Sequence, residues 1–218
     1  MNYHFVFCHG WGFDYKFFQP LINKYFSKIP YYCLDLGYFG EENLNLPEDG
    51  VLIGIGHSLG LIKLASLNVK FNGIIGVQAF VNFLGFDLRL HKKRKLELKR
   101  IIQHFQMDPI NTLISFYKSC GVNLIDHNSF NYLNKAKLME DLELLTIVHQ
   151  LPHTPLLILG ATNDTIVPQK LIYDNFKKGT KVSMHNKGYH SLGLCEHHFV
   201  QEQIISFCDG IRREIHTG

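Results

Sequence analysis

Along the chain, short continuous apolar runs alternate with longer amphipathic stretches. Six runs have strand character, at about residues 3–8, 30–35, 51–56, 73–79, 155–160 and 180–184. They are apolar at successive positions rather than at every second one, so they read as strands covered on both faces. Between them the spacing predicts helices: an aromatic-rich run from Tyr15 to Ser27, then Leu59 to about Val69, Pro168 to about Phe176, and Glu196 to Arg213. Strands alternating with helices predict an α/β protein built on a mostly parallel, doubly wound sheet. In such a sheet ligands gather at the carboxyl ends of the strands.

The interval 81–150 breaks this rhythm. It has no clear strand and reads as three or four helices rich in Lys, Arg and Phe. The organisation predicted is a core of residues 1–80 and 151–218 with a helical cap, 81–150, inserted over the site. From Asp87 to Lys118 there are eight Lys/Arg against three Asp/Glu, whereas the whole chain carries only +3. A solvated helix face accounts for most of these charges. The cluster Arg89, Lys92, Lys93, Arg94, Lys99 and Arg100 is also a candidate docking patch for an acidic partner. Nucleic acid is not expected, because charge without a binding motif does not specify it.

Chemistry is concentrated at the ends of the predicted strands. The run Val51 to Ile55 leads straight into Gly56-His57-Ser58-Leu59-Gly60. Serine between two glycines at a strand-to-helix turn is the pattern of a nucleophile elbow, in which neighbours two residues away must lack a side chain. Ser58 is the candidate nucleophile, and the Leu59 N–H points where an oxyanion would form. The apolar run Pro155 to Gly160 ends in Ala161-Thr162-Asn163-Asp164, and the last run is followed by Gly188-Tyr189-His190. Asp164 is placed to fix the tautomer of His190, and His190 to take the serine proton. The chain order Ser, Asp, His is that of one of several serine-hydrolase arrangements. The first run ends in His9-Gly10-Trp11-Gly12, whose turn offers a second oxyanion donor, the N–H of Trp11, and an indole wall for the site. In the loop Asp35 to Gly40 the glycines serve the turn, and Phe39 is the side chain able to reach a pocket.

Composition narrows the class further. Hydrophobic residues make up 46% and charged residues 19% of 218, which suits an ordinary globular domain. No stretch reaches the ~18 uncharged apolar residues of a membrane helix, and the N-terminus lacks a signal-peptide pattern. Five scattered cysteines without a C-x-x-C pair predict reduced thiols and a cytoplasmic protein. The densest metal-like cluster, Cys195-Glu196-His197-His198, opens the last predicted helix, where neighbouring side chains diverge. No metal and no organic cofactor is therefore expected.

On these residues the chain resembles the α/β-hydrolases, and among them the pimeloyl-ACP methyl ester esterases of biotin synthesis. The resemblance rests on His9 to Gly12, Asp35 to Gly40, Gly56 to Gly60, Asp141 to Leu145, Asp164 to Pro168 and Gly188 to His190. It implies the α/β-hydrolase fold, a Ser58-Asp164-His190 triad and an oxyanion hole formed by Trp11 and Leu59. It also implies an acyl-contacting cap stretch at Phe116-Tyr117-Lys118-Ser119-Cys120, so that Trp11, Phe116, Tyr117, Cys120 and His190 would bind substrate. The basic cap residues would meet an acidic acyl-carrier protein. Leu61 stands where the family often has a third glycine, and Gly37 where it has a proline. The segment Gly40 to Gly50 is short for the helix usually found there. The function implied is hydrolysis of a carboxylic ester through an acyl-enzyme. Alternatives are a general short-chain carboxylesterase or thioesterase of the same fold, or a ligand-binding pseudo-hydrolase.

Overall fold

The structure is a computed structural model that describes residues 3–47, 49–123, 127–176 and 179–217, without the side chains of 214–217. Its centre is a six-stranded sheet of β1 (Tyr3–Cys8), β2 (Tyr31–Leu34), β3 (Val51–His57), β4 (Gly73–Val77), β5 (Leu156–Ala161) and β6 (Lys181–His185), in the order β2-β1-β3-β4-β5-β6. Every pairing is parallel. The strands lie within a residue or two of the apolar runs because burial on both faces leaves little freedom in placing them.

Parallel neighbours need crossovers, and these cover both faces. Phe5 and Phe7 of β1, in register with Ile53 and Ile55 of β3, turn to the face where their rings meet Phe26 and Phe18. These two rings come from the connection after β1, residues 15–26, which is not the single helix its composition predicts. It consists of a 3-10 turn (Tyr15–Phe18), a short α1 (Gln19–Leu21) and a π turn (Ile22–Phe26). Phe17, Phe18, Leu21, Ile22 and Phe26 are all buried, and one regular stripe cannot turn them all inward. The opposite face carries α2 (Gly60–Ser66) and, further on, α6 (Gln169–Asn175). β2 reaches β3 without a helix among the described residues.

Between β4 and β5 lie α3 (Leu88–Met107), α4 (Pro109–Ser119), a 3-10 turn (His127–Tyr132) and α5 (Lys135–Leu144). Polar caps set their starts: Asp87 accepts the Leu90 N–H at 2.9 Å, Asp108 that of Asn111 at 3.0 Å, and Asn134 that of Lys137 at 3.1 Å. Pro109 begins α4 at the position where a missing N–H costs least. These helices sit on the carboxyl ends of the strands: the indole N–H of Trp11 donates to Leu138 O (2.8 Å), and the Tyr117 hydroxyl to Gly12 O (2.5 Å). Asp141 of α5 is fully buried and accepts from Lys63 of α2 and from Tyr38, both at 2.5 Å. The short α7 (Leu192–Cys195) and the long α8 (His197–Thr217) close the chain, with Ile211 and Phe207 of α8 against Gly73 on the face opposite α2. No helix among the described residues is long and apolar enough to cross a membrane.

Candidate functional site

Ser58 stands where β3 gives way to α2, with φ at +53°, in the left-handed region that a side chain enters only under constraint. Its N–H donates to Val77 O at 2.9 Å, which ties the turn to β4. A Cβ on Gly56 would lie 2.5 Å from Leu61 N, and one on Gly60 would lie 2.3 Å from Cys8 O. The turn is closed against backbone on both sides, so only glycine fits either place. The loop after β1 packs directly on it: the Gly10 Cα faces Ser58 Cβ so closely that a methyl group there would stand 2.9 Å away. His9 holds that loop, accepting the Leu36 N–H at 3.0 Å and donating to Gly10 O at 2.9 Å. Neither the N–H of Trp11 nor that of Leu59 finds an acceptor among the described residues.

Asp164 and His190 meet. The imidazole Nδ1–H donates to Asp164 Oδ2 at 2.8 Å, and both side chains are buried. The carboxylate is held from three further directions. Its Oδ1 accepts the N–H groups of Ile166 and Val167 at 2.8 Å each, and its Oδ2 also accepts Gln78 Nε2 at 2.7 Å. The free nitrogen of His190, Nε2, is buried and has no hydrogen-bond partner among the described residues, the Ser58 hydroxyl included. The imidazole has the rings of His57 (4.8 Å) and Phe116 (6.4 Å) as neighbours.

Two residues around this pair were given no role by the sequence, Gln78 outside any motif and His57 inside the elbow. Gln78, at φ +52° just past β4, is fully buried. Its amide donates to Asp164 and to Tyr189 O while its Oε1 accepts the Leu192 N–H at 2.8 Å, so one side chain holds both the acid and the histidine loop. A lone polar residue ending an apolar strand, on the edge shared by Ser58 and Asp164, was the available signal. His57 is stacked on Phe17 at 4.1 Å, and its Nε2 faces His190 O at 3.2 Å.

Burial, followed by the charge of His190, pushes the His57 pKa well below the usual histidine range. The sign of the consequence follows from linkage. Below about pH 6.5 the unfolded chain takes up a proton at this position while the native state resists it, so stability is lost as pH falls. The slope from this group is at most about 1.4 kcal/mol per pH unit. Urea unfolding at pH 7.5 and 5.5 is expected to show a larger loss for the wild type than for His57→Phe. Equal losses would remove His57 as the origin.

A cavity of about 100 Å³ is lined by Trp11, Ser58, Leu59, Phe83, Arg94 and Phe116, among others. Ile101, Phe116 and Ile166 also wall a groove of about 390 Å³ between α3 and α4. Of the residues expected to bind substrate, Trp11 and Phe116 are on the cavity wall, in edge contact with each other at 5.0 Å. Tyr117 lines instead a neighbouring cavity of about 200 Å³ with Phe13, Phe39 and Leu194, its hydroxyl taken by Gly12 O. Cys120 is fully buried, and burial pushes its thiol pKa up.

The basic stretch divides. Arg89, Lys92, Lys93, Lys99 and Arg100 are exposed on the outer side of α3. Arg94 is not, and the expectation that it belongs to a surface patch is corrected. Counting by helical turns, Arg94, Leu98, Ile101 and Phe105 form one inward stripe, and Arg94 is 5% exposed. The apolar spacing on its C-terminal side already carried that information.

No family model matches this sequence, and no curated protein matches it. Structural likeness is extensive. A lipase-esterase related protein from Clostridium acetobutylicum aligns over 94% of each chain with a TM-score of 0.68 at 17% identity. An esterase from Exiguobacterium antarcticum aligns over 94% of this chain and 91% of its own with a TM-score of 0.72 at 15% identity. MenH from S. aureus aligns over 97% and 95% with a TM-score of 0.65 at 16% identity. At these identities the likeness is one of architecture, and with the all-parallel sheet it defines the class: the chain has the α/β-hydrolase fold.

Proposed function

We propose that this protein is a serine carboxylesterase working through an acyl-enzyme. The observation that carries the reading is Ser58, held at a positive φ on the same sheet edge as a buried His190–Asp164 pair whose Nε2 is unengaged. That neighbours of the same fold are described as esterases agrees with it. In the reaction Ser58 Oγ attacks the ester carbonyl while His190 Nε2 accepts its proton, and the oxyanion is taken by the free N–H groups of Trp11 and Leu59. His190 then gives the proton to the departing alcohol. Water, deprotonated by the same nitrogen, releases the acid and restores the serine. Asp164 holds Nδ1 and balances the imidazolium. The helices of 81–150 act as the cap, with Phe116 as a wall.

Two observations bear on the ester. The exposed row Arg89, Lys92, Lys93, Lys99 and Arg100 supports a substrate delivered by an acidic carrier, specifically pimeloyl-ACP methyl ester cleaved to methanol and a free carboxylate. The volume of about 100 Å³ beside Ser58 supports a short ester or thioester with a small acyl group. Labelling by a fluorophosphonate, with the modified residue located by mass spectrometry, tests the class. Modification of Ser58 is expected, and an unlabelled, folded protein would overturn the reading in favour of a pseudo-hydrolase. Comparing the carrier-bound methyl ester with a para-nitrophenyl ester then separates the two substrates.

Gln78 gives a quieter expectation. A hydrogen bond to a charged group is worth about 1.5–3 kcal/mol, so Gln78→Ala is expected to lower kcat about ten- to a hundredfold. KM should move little, because Gln78 does not line the cavity. A loss confined to KM would give Gln78 a different role.

A further inference from the structure

Arg94 is a buried cation without a counter-ion. Its Nε donates to Phe83 O at 2.5 Å and its Nη2 to Ile166 O at 2.9 Å. The guanidinium carbon lies 4.1 Å from the centre of the Phe83 ring. These contacts fix where the group sits but carry no full negative charge. Among the described residues, no carboxylate comes within ion-pair distance of it. Of the nearest acids in electrostatic terms, Glu97 lines the same cavity as Arg94 but lies beyond ion-pair distance, its carboxylate on the exposed Lys93 at 3.7 Å. The oxygens of Asp164 are taken by His190, Gln78 and two backbone N–H groups. Five N–H groups radiate from a guanidinium, and two are used here, which leaves three without an acceptor among the described residues.

A guanidinium cannot shed its charge as a buried lysine can. Desolvation without a partner is costly, and burial pushes the Arg94 pKa down to about 10. A ligand anion could supply the missing charge from the cavity that Arg94 lines. Arg94 lines the same cavity as Ser58, together with Trp11, Phe80, Leu142 and the half-exposed Glu97.

The geometry points to an anion subsite in this cavity: Arg94 receives a carboxylate carried by the ester itself, a few bonds from the carbonyl that Ser58 attacks. The inference rests on the esterase reading and narrows it. Monoesters of short dicarboxylic acids fit, with the carboxylate on the acyl side. Acylated hydroxy acids also fit, with the carboxylate on the alcohol side. The carrier-bound methyl ester, whose acyl chain has no free carboxylate, leaves Arg94 unpaired.

The experiment compares monomethyl glutarate with the isosteric methyl ester in which an isopropyl group replaces the carboxylate. The acetyl ester of a short hydroxy acid and its isopropyl isostere form the second pair. In at least one pair, kcat/KM is expected to be tenfold or more higher for the charged ester. The pair showing the preference identifies the side that carries the charge. Arg94→Gln should erase the preference mainly through KM, and Arg94→Lys should restore part of it. Preference for the neutral ester in both pairs, or equal rates, overturns the subsite. Arg94→Gln also loses a pin between cap and core, so a second measurement is independent of that variant and of turnover. Glutarate binding to folded Ser58→Ala protein, followed by calorimetry, is expected at millimolar concentration or tighter, and absence of binding counts against the subsite. Binding of glutarate without fluorophosphonate labelling of the wild type would keep the anion site and discard the esterase. Labelling without any charge preference would do the reverse.

Discussion

Ser58→Ala is expected to lower kcat on a small ester by about 10⁴- to 10⁶-fold while leaving the melting temperature almost unchanged. The two parts of that expectation come from different links of the argument. The rate is expected to fall because the substitution removes the atom proposed to form the acyl-enzyme, and no other group among the described residues of the cavity is placed to replace it. Cys8 and Cys120 are buried, and burial pushes both thiols up, so neither supplies a thiolate. Thr165, which also lines the cavity, has no histidine in hydrogen-bond contact. Stability holds because alanine keeps the Cβ, and the strain of φ +53° is nearly the same for both residues. The Ser58 hydroxyl has no hydrogen bond to lose among the described residues, which makes the change thermodynamically mild. Hydrolysis of a para-nitrophenyl ester and a thermal melt check both. Retention of more than a tenth of the wild-type kcat would show that another group is the nucleophile.

How much of this was legible in the chain depends on which force placed each residue. The strands were readable because residues covered on both faces must be apolar in succession, as in Val51 to Ile55 and Leu156 to Leu159. The elbow was readable because two backbones approach within the radius of a methyl group, which restricts the sequence to glycine. Residues 15–26 were misread as one helix because consecutive buried rings at Phe17 and Phe18 overrule a regular period. Arg94 was misread because charge was weighed above position, although Leu98, Ile101 and Phe105 set the inward phase of α3. Gln78 escaped because its partners, Asp164, Tyr189 and Leu192, lie 86 to 114 positions away. A polar residue closing an apolar strand marks the position, but nothing local announces which distant loops it joins.

The same close approach yields the largest expected effect on stability. In Gly60→Ala the new methyl group would stand 2.3 Å from Cys8 O and 2.6 Å from His9 O. Both atoms are backbone, at the end of a strand paired on one side to Leu34 and on the other to Gly56. No rotamer change relieves the clash, so α2 must move away from β1. Overpacking of a tight interior costs about 1–3 kcal/mol when side chains can yield, and a rigid contact belongs at or beyond the top of that range. For a chain of this size 3 kcal/mol corresponds to a fall of roughly 6–12 °C in melting temperature. Activity should fall further than stability, because the shift separates the two donors proposed for the oxyanion, Trp11 N–H on the β1 loop and Leu59 N–H on the elbow. Gly210→Ala is the matched control. It lies within α8, where an added Cβ meets nothing within 4 Å, and alanine there should stabilise by about 0.5–1 kcal/mol. Opposite signs for the same chemical change would show that contact at the elbow, rather than glycine's backbone freedom, governs position 60. A Gly60→Ala protein as stable and active as the wild type would mean that the elbow is not packed against the end of β1.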